Sequence, residues 1–182
     1  MTWELYTPYK DSPFDMGRLV SVYLNPEKTL IKRVFQLNGI TVSGKKSTAS
    51  KEYVDAKWNA ETYYLTKFRL MPWVPELVSI DYVERSIIQQ YYGPDLLTTG
   101  FEDIPDIEDQ MCQIYQYFKE IDVYKLNSSL SNMTKKQGQV VLFDFKYMRQ
   151  RAPDLKYQAE YEIDTWLSKI SPTIVPKLKE LI

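Results

Sequence analysis

A chain of 182 residues, 44% of them apolar and 14% aromatic, is long enough to bury one core and too short for two domains of ordinary size. Its 23 basic and 24 acidic residues leave a net charge of −1, which withholds the positive surplus that phosphate backbones attract and excludes nucleic acid as the main partner. Histidine is absent, which removes histidine general bases, Ser-His-Asp and Cys-His pairs and the usual zinc sites.

Chemistry must therefore run on carboxylates, lysine, amides and bound cations. No apolar run nears the roughly 20 residues that span a bilayer. The opening MTWELYTPYKDSP has neither a basic nor an apolar leader region, so the sequence predicts a soluble cytoplasmic protein with no membrane partner. The lone cysteine, Cys112, rules out an intrachain disulfide and reads as a small helical core residue.

In chain order, 18–24 and 29–37 are rich in β-branched and apolar residues and predict paired strands around an Asn25-Pro26-Glu27-Lys28 turn. Residues 39–50, small and polar, predict a loop. Helical spacing then covers 51–68, where Val54, Trp58, Glu61, Leu65 and Phe68 form one stripe. Glu61 thus lies inside an apolar stripe, which costs free energy unless a cation meets it.

Residues 86–91 predict a strand ending at Tyr92-Gly93-Pro94. Ile104, Ile107, Met111, Ile114, Phe118 and Ile121 form the most regular helical seam, with Asp103 as expected N-cap and Pro105 in the first turn. After an Asn-rich loop and a KKQG turn, 139–145 predicts a buried strand; Leu155, Ala159, Ile163, Trp166 and Ile170 then mark a mostly helical end.

Three groups of residues carry a resemblance. Leu30-Ile31-Lys32 resembles the Val-Ala-Ile-Lys strand of protein kinases, and 123–132 resembles their catalytic loop, with Lys125 at the histidine and Asn127 at the catalytic acid. Asp144-Phe145 resembles the start of Asp-Phe-Gly, with Lys146 at the glycine. The run SSLSNM is similar to the small atypical kinases that accompany the tRNA threonylcarbamoyl-adenosine machinery.

The resemblance implies an α+β, two-lobed protein kinase-like fold over 1–182, with a strand-rich N-lobe (1–90) and a reduced helical C-lobe (91–182). It implies ATP and Mg2+ as cofactors: Lys32 orients phosphates and pairs with Glu61, the backbone at Gln90 and Tyr91 holds adenine, Asn132 and Asp144 ligate magnesium, and Asn127 positions the acceptor hydroxyl without deprotonating it. Weaker likenesses follow, of Arg151-Ala152-Pro153-Asp154 to Ala-Pro-Glu and of Asp164-Thr165-Trp166 to Asp-x-Trp, with Asp164 read as a structural cap.

Departures from the pattern point to impaired catalysis. There is no Gly-x-Gly-x-x-Gly, only Gly17; Ser129 replaces a catalytic-loop lysine; and between the last two motifs only Lys146 to Arg151 remain, with Tyr147 the sole hydroxyl. Asn127 and Asn132 read equally as turn asparagines, Lys32 as a surface lysine, and Glu61 as a residue at the edge of its stripe. Asp144, between Phe143 and Phe145 after an apolar run, needs a metal, a cation or backbone donors.

A second motif, Gly39 to Thr48, misses the P-loop pattern because Lys46 stands where the magnesium-binding hydroxyl belongs. Three function classes follow: an ATP- and magnesium-binding phosphotransferase, weak in turnover; a pseudokinase that docks on a protein partner; and, least supported, a P-loop hydrolase.

Overall fold

The computed structural model describes residues 2–6, 20–40 and 46–182. The chain divides into two compact units, Met1–Arg69 with Pro75–Tyr91, and Leu70–Val74 with Tyr92–Ile182.

The first unit contains β1 (Glu4–Leu5), β2 (Val20–Leu24), β3 (Leu30–Phe35), β4 (Asn38–Ile40), β5 (Lys46–Thr48), α1 (Lys51–Phe68), β6 (Leu77–Asp81) and β7 (Ser86–Gln90). Five of the strands form one antiparallel sheet in the order β1-β2-β3-β7-β6. The β2–β3 turn falls where the sequence placed it. Asn25 Oδ1 accepts from the amides of Thr29 (2.8 Å) and Leu30 (2.7 Å), and Lys28 takes the left-handed conformation, φ 52°.

Helix α1 has the expected bounds because Ser50 caps it, its side chain accepting from the Tyr53 amide at 3.2 Å. The stripe Val54, Trp58, Glu61, Leu65 and Phe68 is buried, and Trp58 meets Phe35 of β3 edge-on at 5.3 Å. Two features depart from expectation. The segment read as a loop over 39–50 contains the β4–β5 pair, and β6 is an edge strand that the sequence did not reveal. Gly17, Gly44 and Lys45 lie outside the described residues.

The second unit contains α2 (Leu96–Thr99), α3 (Ile107–Glu120), β8 (Val123–Lys125), β9 (Met133–Lys136), β10 (Gln139–Leu142), β11 (Met148–Gln150), α4 (Pro153–Trp166) and α5 (Ile174–Lys179). The seam of α3 buries Met111, Ile114 and Phe118 in a core completed by Val140, Val141, Leu142, Ile163, Leu167, Ile174 and Leu178. The helix begins later than expected. Asp103 is drawn away to Lys135 of β9 at 2.6 Å, Pro105 precedes the helix, and Asp106 occupies the N-cap in a left-handed conformation.

Strands β9 and β10 form a hairpin closed by Gln137 (φ 50°) and Gly138 (φ 78°), the positive angles that a tight hairpin turn requires. Strand β11 returns to pair with β8, Met148 opposite Lys125. Both units thus mix antiparallel strands with helices, which is an α+β chain. Among the described residues no helix is long and apolar enough to cross a membrane.

Candidate functional site

In the first unit the expected ion pair between Lys32 and Glu61 is not formed. Successive side chains of a strand point to opposite faces, and β3 turns Arg33, not Lys32, toward α1. Arg33 Nη2 reaches Glu61 Oε1 at 2.6 Å and Gln89 Oε1 of β7 at 2.7 Å; Glu61 is fully buried and Arg33 only 6% exposed. The cation demanded by Glu61 is therefore present, one residue along from the one the sequence pattern indicated. Glu61 Oε2 and Gln89 Nε2 are buried without a hydrogen-bond partner among the described residues, so the cluster retains polar capacity.

Lys32 lies on the opposite face in a shallow depression lined by Trp3, Tyr23, Val34 and Glu84. Its ammonium contacts both Glu84 carboxylate oxygens at 2.7 Å. Lys32, aided by the Ser86 hydroxyl, holds the Glu84 carboxyl below its ordinary range. The amides of Gln90 and Tyr91 donate to the carbonyls of Glu76 (2.9 Å) and Thr29 (2.8 Å), so both are engaged within the sheet.

In the second unit Asn127, Asn132 and Asp144 are brought together. Leu142 pairs with Met133 at the end of the β9–β10 ladder, and the Phe143 amide then donates to the Asn132 carbonyl at 3.0 Å, which sets Asp144 beside Asn132. Asn132 Nδ2 donates to the Asn127 carbonyl at 2.9 Å, and Asn127 takes φ 59°, a conformation asparagine tolerates better than most residues. The Asn127 side chain makes no hydrogen bond among the described residues; only its main-chain carbonyl is engaged.

The loop is fixed from below. Ser128 shares a hydrogen bond with the Tyr115 hydroxyl at 2.8 Å, donates to the Lys125 carbonyl at 2.9 Å, and its amide donates to Glu162 at 3.1 Å. Burial pushes the Tyr115 phenol well above its ordinary pKa, against the opposing pull of the Ser128 bond, so it stays neutral. Lys125 is buried and donates to the Asp144 carbonyl at 3.1 Å, with its ammonium 5.7 Å from the Phe145 ring centre.

Asp144 takes a left-handed conformation, φ 66° and ψ 66°, and opens a 3-10 turn over Phe145–Tyr147. Its carboxylate is met by the ammonium of Lys146. Magnesium takes carboxylate, phosphate and water oxygens. As they stand, Asn132 and Asp144 do not fit a divalent ion held by protein groups, because a fixed cation already engages the one carboxylate. Among the described residues there is also no cluster of three potential acidic or thiol metal ligands.

The remaining motif residues are structural. Arg151 donates from Nη2 to the Leu181 carbonyl (2.5 Å) and from Nε to that of Val123 (3.3 Å), and stacks on Tyr124 at 4.8 Å. Pro153 opens α4; Asp164 lies inside that helix, paired with Lys179 at 2.7 Å, and is not a cap.

No family model and no curated protein matches this sequence. Among solved structures, the fold is similar to that of Rio2 kinase from Chaetomium thermophilum, solved as an ADP/Mg2+-phosphoaspartate complex, with a TM-score of 0.60 and 10% sequence identity. The match covers 98% of this chain and 62% of that one, so this chain spans about three fifths of the kinase's length. The class that follows is a chain with a kinase-like fold.

Proposed function

We propose that this chain is a nucleotide-binding, kinase-like phosphotransferase of low turnover. The observation that carries the reading is the buried ion pair between strand β3 and helix α1, the two elements that hold the phosphate-orienting lysine and its glutamate in kinases. Arg33 takes the role that the sequence pattern gave to Lys32. Both Nη2 protons are committed to Glu61 and Gln89, which leaves the Nε and Nη1 donors of the guanidinium fork for a phosphate.

Two other assignments stand as proposed roles, Gln90 and Tyr91 beside adenine and Asn127 orienting the acceptor hydroxyl; the magnesium-ligand role read for Asn132 and Asp144 is not carried forward, because Lys146 already pairs with Asp144. The presence of ADP and Mg2+ in the similar Rio2 structure supports a nucleotide as ligand. The short stretch between Asp144 and Pro153, most of it paired as β11 or wound in a 3-10 turn, argues for a folded protein or a small molecule as acceptor over an extended peptide.

The test is a thermal shift with millimolar ATP, because a ligand that binds only the folded state raises its melting temperature. Arg33→Lys, which keeps the charge but loses the fork, should reduce the shift. An unchanged melting temperature with ATP, with or without magnesium, sinks the reading.

A second reading, a pseudokinase that binds a protein partner without phosphoryl transfer, is favoured by one observation: Lys146 already neutralises Asp144 while an amide stands at Asn127. ATP binding with no transfer of labelled phosphate to any acceptor would select it.

A further inference from the structure

We propose that Lys146 is a tethered cation that takes the place of a divalent ion at Asp144, so that the phosphates of a nucleoside polyphosphate are met there by ammonium groups. The inference rests on the nucleotide reading above and names how that ligand is held.

The local chain geometry leaves Lys146 little choice. Asp144 turns left-handed at the end of β10, fully buried Phe145 anchors the 3-10 turn, and Lys146 is delivered two residues beyond Asp144 with its ammonium on Oδ1. The ammonium also lies 5.2 Å from the ring centre of Tyr147, and Arg149 Nη1 donates to the Lys146 carbonyl at 3.2 Å. The ion pair is shielded, with the side chains of Lys146 and Asp144 only 18% and 11% exposed.

From the main-chain side, Lys125 donates to the Asp144 carbonyl. Lys125, Lys146 and Asp144 together carry one net positive charge, and Arg149 beside them adds to it. A divalent ion approaching Asp144 therefore meets a repulsive field and a carboxylate already paired, whereas a polyphosphate anion is attracted. Kinases carry glycine at the position of Lys146, which has no side chain to do this.

Manganese binding, read by electron paramagnetic resonance on the full chain, tests the displacement directly. Wild type and Lys146→Arg, which both keep a cation, should show no ion held by Asp144. Lys146→Met should gain an ion site that wild type lacks, and Asp144→Asn in that background should remove it. Melting temperature checks that each variant folds.

In parallel, fluorescent MANT-ATP should bind wild type equally in EDTA and in magnesium, while Lys146→Met, which loses one charge-assisted contact, should bind roughly 10-fold more weakly in EDTA and recover with magnesium. An Asp144-dependent manganese site in wild type as tight as that of Lys146→Met, or none gained by that variant, overturns the displacement. No MANT-ATP binding by wild type in either buffer overturns the nucleotide reading and the ligand class assigned here. The manganese measurement still decides in that case whether Lys146 bars the ion.

Discussion

Arg33 and Glu61 meet in the interior of the first unit, Nη2 to Oε1 at 2.6 Å, and each is the reason the other can be buried. Truncating one partner of such a pair leaves an uncompensated buried charge, which costs about 3–5 kcal/mol. Glu61→Ala is therefore expected to lower the unfolding free energy by that order in urea titrations. Lys32→Ala breaks a pair whose glutamate side is 47% exposed and should cost only about 0–1 kcal/mol. Equal losses from the two variants would show that the buried Arg33–Glu61 pair matters no more to folding than the half-exposed Lys32–Glu84 pair.

The anchoring of the asparagine loop gives a second prediction. Ser128→Ala strands the buried Tyr115 hydroxyl without its partner, a loss of about 1–3 kcal/mol. Adding Tyr115→Phe removes the stranded group, so the double variant should be more stable than the sum of the single losses implies. Strict additivity in chemical denaturation would show that the bond does not hold the loop.

A pH dependence follows from Glu108 on α3. The hydroxyls of Ser171 and Thr173 and the ammonium of Lys177 hold its carboxyl down to about 2. A carboxyl depressed in the folded state stabilises fully above its unfolded pKa, about 4.3, and that contribution fades as pH falls toward the folded value. The melting-temperature gap between wild type and Glu108→Gln should accordingly be full at pH 7, shrink below about pH 4.3 and close near pH 2. A gap constant from pH 7 to pH 2 would remove Glu108 as the cause.

What could be read from the sequence depended on local signals. Helix α1 was legible to the residue because a cap, a stripe and a polar boundary coincide at Ser50 to Phe68. The need of Glu61 for a cation was legible too, but its identity was not. Leu30, Lys32 and Val34 alternate with Ile31, Arg33 and Phe35, so both faces of β3 are apolar and each offers one cation. Tertiary packing of Phe35 on Trp58 decides which face meets the helix.

Asn127, Asn132 and Asp144 were singled out by their resemblance to kinase motifs, and the β9–β10 hairpin is what returns the end of β10 to the asparagine loop. The Lys146 pairing was missed because a single lysine after Asp-Phe has no periodic signature. Likewise β6 was hidden: Val78 and Ser79 face solvent on an edge strand, which blurs the alternation that would reveal it.

The last prediction concerns turnover. With an amide at Asn127 the loop has no carboxylate at the acid's place to accept the hydroxyl proton, and general-base assistance is typically worth about 10²–10⁴-fold. The loop is anchored through the Asn127 carbonyl, which Asn132 holds, and aspartate shares asparagine's tolerance of positive φ. Asn127→Asp should therefore preserve the fold and raise the rate of labelled phosphate transfer by up to about 10²-fold over a slow wild type, at the low end of that range. Rapid transfer by the unmodified chain, abolished by Arg33→Lys, would show that another carboxylate already serves as base. Equal and negligible transfer by both forms, with ATP binding intact, would select the pseudokinase reading.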